Sequence, residues 1–241
     1  MNSDQASTIV PALGAIVGAS HVITDQTERE FFSSDIYSAG QTCACVVRAG
    51  NKDELARCVK TATDAGYAVI ARGGGMSYSS GYTPTRTQTI IFDMQRMNRI
   101  LAVNTTDMYV VVEAGVTWKQ LYEELKPKGV RTPFFGTLSG IHATVGGAMS
   151  QGAMFFGSGQ HGSAPESVLG LEVVLADGTL LPTGQAAHKG DGKTGAKPFF
   201  RYYGPDRLVL GRHWRIGVEG HREPSPDAHT SGNFLRLVCI R

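Results

Sequence analysis

The sequence predicts an α+β protein with more than one sheet, and three stretches carry that reading. Residues 43–71 read strand, helix, strand; residues 100–113 read as a hairpin; a capped helix and a second hairpin fall within 117–183. In the first unit Ala44 to Val47 is a short apolar run, and Asn51 with Glu54 three residues later marks a helix start. Leu55, Val59 and Ala62 then form a helical stripe that Gly66 can end, and Ala68 to Ala71 is the returning strand. Ile100–Val103 and Met108–Glu113 flank turn residues Asn104 to Asp107. Thr117 and Gln120 stand at capping-box spacing, Leu121 and Leu125 lie one turn apart, and Gly129 follows. Val168–Leu175, the Asp177-Gly178 turn and Thr179–Thr183 make the last hairpin. Before all of this, Leu13, Ile16 and Val17 suggest a short helix in the lead segment, residues 1–39.

At 241 residues the chain can bury a substantial core, and 41% hydrophobic with 18% charged residues fits a globular protein. Its 30 glycines exceed the usual share and point to tight turns or backbone-lined sites. No apolar run approaches the ~20 residues that span a bilayer. Asp4 stands where a secretory signal carries positive charge, so a cytoplasmic location is expected. Cys43 and Cys45 are too close for an ordinary bridge, and with Cys58 and Cys239 they complete no zinc pattern, so all four read as reduced structural thiols.

Glycine clusters at three places. The first is Arg72-Gly73-Gly74-Gly75-Met76-Ser77-Tyr78-Ser79-Ser80-Gly81, directly after the returning strand. Glycine leaves backbone N–H groups uncovered, and the Ser77 and Ser79 hydroxyls add donors, which is what a pyrophosphate requires. No Gly-Lys-Ser/Thr follows, which excludes a Walker loop; the loop also comes after the second strand and leads to no evident helix, which excludes the Rossmann pattern. By itself the loop is equally compatible with a surface turn. The second cluster joins Gly136-Thr137-Leu138-Ser139-Gly140 to Thr144-Val145-Gly146-Gly147, and the third is Gly157-Ser158-Gly159-Gln160-His161-Gly162.

Taken in order, these segments resemble the FAD-binding, PCMH-type domain of the vanillyl-alcohol oxidase, D-lactate dehydrogenase and glycolate oxidase superfamily of FAD-linked oxidases. The resemblance covers roughly residues 40–206: the βαβ unit with its Arg-Gly-Gly-Gly loop, Val112-Glu113-Ala114-Gly115-Val116, Thr144-Val145-Gly146-Gly147, and Val168 to Gly178. It implies two α/β subdomains, 40–95 and 96–206, with flavin between them and no substrate (cap) domain in this chain. It implies that Arg72, Gly73, Gly74, Gly75, Met76, Ser77 and Tyr78 form the pyrophosphate loop. Thr137, Leu138, Ser139, Gly140, Thr144, Val145, Gly146 and Gly147 would line the dinucleotide and the isoalloxazine, and Gly157, Gly159, His161 and Gly162 would continue that lining. The backbone near Val173 and Val174 would meet the adenine. Relatives that attach flavin covalently often place histidine where this sequence has Met76, so FAD is expected to be non-covalent, with His161 the exception to test.

The resemblance implies an FAD-dependent oxidase or dehydrogenase that takes a hydride from an alcohol or 2-hydroxy acid, a small-molecule substrate, and passes electrons to oxygen or a carrier. It names no catalytic residue: His142, His161, Tyr78 and Tyr82 are each equally well read as ordinary hydrogen-bonded side chains. Two other readings stand beside it, a flavin-binding fragment without turnover and a nucleotide- or nucleic-acid-binding protein. The formal charge of +2 is concentrated at the end, where residues 207–241 hold six arginines and no lysine. Those arginines lack the clustering of a nucleic-acid stripe, so no nucleic-acid partner is expected.

The same tail departs from the family. The resemblance runs through Phe199 to Asp206, after which relatives continue with a stretch like Gly-Asp-Thr-Gly-Ala-Leu-Gly. Permitted codons for Arg212 to Glu223, read one base later, give Asp-Thr-Gly-Ala-Leu-Gly-Ser-Lys-Ala-Thr-Val. The expectation is a shifted reading frame after Asp206, with a tail poor in strand periodicity and an exposed sheet edge in the second subdomain; a divergent natural terminus is the alternative.

Overall fold

The computed structural model describes residues 3–133, 139–154, 156–183 and 236–240. In chain order the elements are α1 (Ser3–Val17), β1 (Val22–Ile23), α2 (Gln26–Phe32), β2 (Cys45–Val47), α3 (Lys52–Asp64), β3 (Ala68–Arg72), β4 (Thr89–Asp93), β5 (Ile100–Asn104), β6 (Tyr109–Glu113), α4 (Trp118–Leu125), α5 (Val145–Gln151), α6 (Ser158–His161), β7 (Val168–Val174), β8 (Leu180–Pro182) and β9 (Arg236–Ile240).

Local chemistry starts and stops the helices where the sequence says it should. Asn51 accepts the Glu54 N–H and caps α3, while the Glu54 carboxylate reaches back to the Gly50 N–H. Gly66, at φ 80°, ends it. Thr117 and Gln120 form the full reciprocal box at α4, which satisfies two N–H groups that the first turn leaves open.

Two sheets result, in orders β1-β2-β4-β3 and β5-β6-β9-β7-β8. The strands of the predicted βαβ unit are not neighbours, because β4 lies between β2 and β3 and pairs in parallel with both. Every residue of β4 is buried. Such a strand reads Thr-Ile-Ile-Phe-Asp without alternation, so it gives none of the period-two signal that marks the hairpins. The predicted hairpins β5–β6 and β7–β8 form as antiparallel pairs.

The lead segment belongs to the first subdomain. Ile9, Leu13 and Val17 of α1 pack into one core with Cys45, Val47, Leu55, Val59, Ile90 and Phe92, and β1 extends the sheet by pairing with β2. The second core gathers Val110, Val112, Trp118, Leu121, Leu125, Val145, Met149 and Leu171. The subdomains are joined away from the glycine loops as well: Lys52 of α3 contacts Glu172 of β7 at 2.9 Å, and the Thr63 hydroxyl donates to the Ala176 carbonyl at 2.6 Å.

The tail departs from its expectation at one place. Arg236–Ile240 is a strand lying between β6 and β7, parallel to both, so the second sheet is closed in its middle by a segment whose composition promised no strand. The rest of 184–241 lies outside the described residues, as do Gly136, Thr137 and Leu138.

Candidate functional site

The loop after β3 begins on a buried cation. Arg72 is 5% exposed and its Nε has no hydrogen-bond partner. The guanidinium lies 4.8 Å from the Phe32 ring centroid and 5.2 Å from those of Phe31 and Tyr82, so α2 supplies two walls of its pocket and the far end of the loop supplies the third. Burial pushes the guanidinium below the usual arginine range, with Tyr82 and Asp93 acting against that loss. Asp93 cannot balance it alone, because Arg48 already holds that carboxylate at 2.8 Å. A desolvated arginine with an unmatched donor favours an anion beside it.

The loop itself touches the opposite subdomain. A side chain at Gly73 would run into Thr144 Oγ1, and one at Gly74 would run into the His142 carbonyl, with its carbon 2.5 Å away and the Ala143 nitrogen 3.2 Å away. The missing side chains of Gly73 and Gly74 thus admit the facing loop, a packing reason for glycine beside the expected phosphate contact. Gly75, at φ 68°, sits above the Arg72 guanidinium. Among the described residues none of the N–H groups of Gly75, Met76, Ser77 and Tyr78 donates to a protein group. Met76 and Ser77 are half-buried and Tyr78 is exposed. Gly75–Tyr78 therefore offer candidate anion contacts, with the Arg72 guanidinium against Gly75.

The second glycine segment enters α5. Thr144 is buried, and its hydroxyl accepts the Gly147 N–H at 3.2 Å; Val145 is fully buried. Gly146 donates to the Ala114 carbonyl at 2.9 Å, and a methyl group on it would lie 2.6 Å from the Ala114 Cβ. Its smallness lets α5 pack on the residue that follows β6, a packing reason beside the expected cofactor contact. Ser139 and Gly140 are half-buried in the turn that leads to it, where the Ser139 carbonyl accepts the His142 and Ala143 N–H groups.

The third segment, Gly157 to Gly162, wraps the single turn α6; Gly159 has open space around it, His161 is half-buried and His142 is exposed. Val173 points into the second core, while Glu172 and Val174 on the other face meet α3 and the first core. The Val173 and Val174 backbone pairs with Leu181 and Leu180.

Three side chains support the first loop: Tyr82, which the sequence singles out, and Gln151 and Asp35, which it does not. The Tyr82 hydroxyl donates to the Ser77 carbonyl at 3.2 Å. Gln151, the last residue of α5, donates to Ser77 Oγ at 2.6 Å and Ser79 Oγ at 3.1 Å. Asp35 accepts the Ser80 N–H at 2.7 Å. The last two partners lie 72 and 45 residues away along the chain, beyond any local motif. An open depression lined by Asn98, Ile100, Gln120, Glu123 and Glu124 contains none of the glycine-loop residues.

Comparison with known proteins fits this geometry. The family profile described as FAD binding domain matches residues 43–184. The chain is 29% identical to 1'-carboxy-chondrochloren decarboxylase of Chondromyces crocatus, over 76% of this chain and 34% of that protein. It is 25% identical to a mitochondrial D-lactate dehydrogenase [cytochrome] of Kluyveromyces lactis, over 87% of this chain and 34% of that protein. Over 54% of this chain and 12% of the relative it is 39% identical to D-2-hydroxyglutarate dehydrogenase of Pantoea ananatis. The chain therefore spans about a third of the first two of these relatives. Among solved structures it superposes on p-cresol methylhydroxylase with TM-score 0.73 at 22% identity, covering 87% of this chain and 41% of that one, which shows a shared PCMH-type fold.

Proposed function

The chain belongs to the FAD-binding domain family, and on that premise we propose that it holds FAD non-covalently, with the pyrophosphate on the Arg72–Ser80 loop, as the flavin module of an oxidoreductase acting on a small alcohol or 2-hydroxy acid. The observation that carries the reading is the buried Arg72, whose Nε has no partner and whose guanidinium lies against Gly75, where the uncommitted N–H groups of Gly75–Tyr78 begin. Thr144–Gly147 and Ser139–Gly140 bring the second subdomain against that loop and wall the other side of the cofactor site. Met76 offers no nitrogen for covalent attachment. When bound, FAD supplies hydride acceptance at its flavin ring, which no side chain of the chain can provide.

The residues at the loops do the binding part of the work. Arg72 supplies fixed positive charge, Gly75 to Tyr78 supply backbone donors, and the contact of Gly74 with His142 sets the separation of the two walls. Support for a 2-hydroxy acid comes from relatives named D-lactate dehydrogenase and D-2-hydroxyglutarate dehydrogenase. Three buried free thiols, Cys43, Cys45 and Cys58, suit a reducing compartment such as the cytoplasm. A second reading is flavin binding without turnover, because the contacts found at the glycine loops are those of a cofactor site and include, among the described residues, no group placed for substrate.

Reconstitution separates the two. The protein purified with excess FAD should be yellow, and acid precipitation should leave the colour in the supernatant; colour in the pellet contradicts non-covalent binding. Anaerobic addition of D-lactate and other 2-hydroxy acids bleaches the visible bands under the first reading and leaves them unchanged under the second.

A further inference from the structure

The Ser77–Ser80 end of the glycine loop is held in a conformation it would not choose. Ser80 has φ 56°, in the left-handed region that an ordinary L-residue avoids, and it is one of two non-glycine residues so placed among the described residues. Strain of this kind persists where surrounding contacts over-determine it. Here those contacts come from the turn after α2. Asp35 Oδ2 accepts the Ser80 N–H at 2.7 Å, and the Ser38 and Ser80 hydroxyls lie 2.8 Å apart. Asp35 Oδ1 accepts the Tyr37 N–H at 2.8 Å, the Ser38 N–H at 2.6 Å and the Ser38 hydroxyl at 3.2 Å. Three residues earlier in the loop the Ile36 N–H donates to the Ser77 carbonyl at 3.4 Å. The carboxylate is therefore committed on both oxygens to chain 35–38 on one side and to Ser80 on the other.

The sign of its charge makes this arrangement informative. A carboxylate beside a loop that receives phosphate repels the ligand, so Asp35 lowers affinity unless its hydrogen bonds contribute more through geometry than its charge removes. Partial desolvation pushes the Asp35 carboxyl up, yet the N–H groups of Ser38, Tyr37 and Ser80 hold it below the usual carboxylate range, so the anionic, accepting form is the one present near neutral pH. Both oxygens already accept from the chain, and a carboxylate has no proton to donate to a phosphate, so its role lies in the loop and not in touching the ligand.

We propose that Asp35 is a positioning residue for the pyrophosphate loop: by accepting the Ser80 N–H it locks Ser77–Ser80 in the one conformation that presents the Gly75–Tyr78 donors together. The inference rests on the reading of that loop as the FAD pyrophosphate site. Asp35→Asn keeps the size of the side chain but cannot offer acceptors at both positions, so it frees Ser80 while removing a negative charge. The positional and electrostatic effects thus point in opposite directions.

The test is the dissociation constant of FAD, by quenching of flavin fluorescence, and of ADP, by calorimetry, for the full chain and its variants. Hydrogen exchange at the Ser80 amide in the ligand-free protein is read alongside. Asp35→Asn should weaken FAD and ADP binding alike by about tenfold and speed exchange at Ser80, with the melting temperature and exchange in β3 and β4 unchanged. Ser38→Ala, which removes only the hydroxyl bridge, should weaken both ligands severalfold. Equal or tighter binding of ADP by folded Asp35→Asn overturns the inference and shows that the carboxylate acts only as a nearby charge. A parent protein that binds neither FAD nor ADP overturns the loop assignment itself, and this inference with it.

Discussion

Replacing Gly74 by alanine adds one methyl group at the point where the two subdomains touch. Its carbon would lie 2.5 Å from the His142 carbonyl carbon and 3.2 Å from the Ala143 nitrogen, and it would overlap the His142 carbonyl oxygen. An ordinary carbon–carbon contact is ~3.5 Å, so the loops must part by about 1 Å. The atoms met are backbone and cannot rotate away. Overpacking of this kind costs about 1–3 kcal/mol, and the rigid neighbours place Gly74→Ala near the upper end. Because the displacement separates the two walls of the cofactor site, the cost falls on FAD affinity: about 3 kcal/mol corresponds to roughly a hundredfold rise in dissociation constant. Gly159→Ala is the matched control, since a methyl group there meets nothing within 4 Å. The assay is FAD titration by fluorescence quenching, with thermal melting of each ligand-free variant. Gly74→Ala binding FAD within about twofold of the parent, or Gly159→Ala losing as much as Gly74→Ala, would show that the Gly74–His142 contact does not set the cofactor site.

Other sites give sharper signs elsewhere. Gly146→Val drives a branched side chain into Ala114, 2.6 Å from the first added carbon, so it should lower the melting temperature as well as flavin affinity; a variant that melts like the parent removes the packing role. Burial holds Cys43 above the ordinary thiol range and pushes Cys45 and Cys58 up to about 12. The folded protein therefore favours neutral thiols: stability is unaffected below the ~8.5 at which unfolded thiols ionise and declines from there towards pH 12, and alkylation at pH 8 should be slow until denaturant is added. Fast alkylation of all three in the native protein would contradict that burial. Deleting residues 236–241 withdraws β9 from between β6 and β7 and opens two strand edges, so the truncated chain should bind hydrophobic dye and aggregate while the full chain does not.

Much of this architecture was legible in the sequence because it is local. Asn51 and Thr117 mark helix starts by their own side chains, and the two hairpins show turn residues between apolar runs. Strand β4 was not legible, since a central parallel strand buried on both faces carries no alternation. The order of strands was hidden too, because β4 enters between β2 and β3 from beyond the glycine loop. At the site, the glycines were visible but their reasons were not: Gly74 and Gly146 are small for His142 and Ala114, contacts that arise only when the subdomains meet. Asp35 and Gln151 carry no pattern in the chain, and their importance appears only when the folded loop reaches them.

If Arg72 is the buried charge that pairs with the cofactor's phosphates, FAD affinity of Arg72→Met, measured beside the melting temperature of the ligand-free variant, shows it most directly. Methionine fills the space between Phe31, Phe32 and Tyr82 without a charge that lacks a partner at Nε. Removing an imperfectly paired buried charge leaves stability unchanged or raises it. Removing a charge-assisted hydrogen bond to phosphate costs about 1.5–3 kcal/mol, a rise of roughly 10- to 100-fold in dissociation constant. Both effects are expected together, in a protein at least as stable as the parent that has lost most of its affinity for FAD. A folded Arg72→Met that binds FAD as tightly as the parent contradicts that pairing.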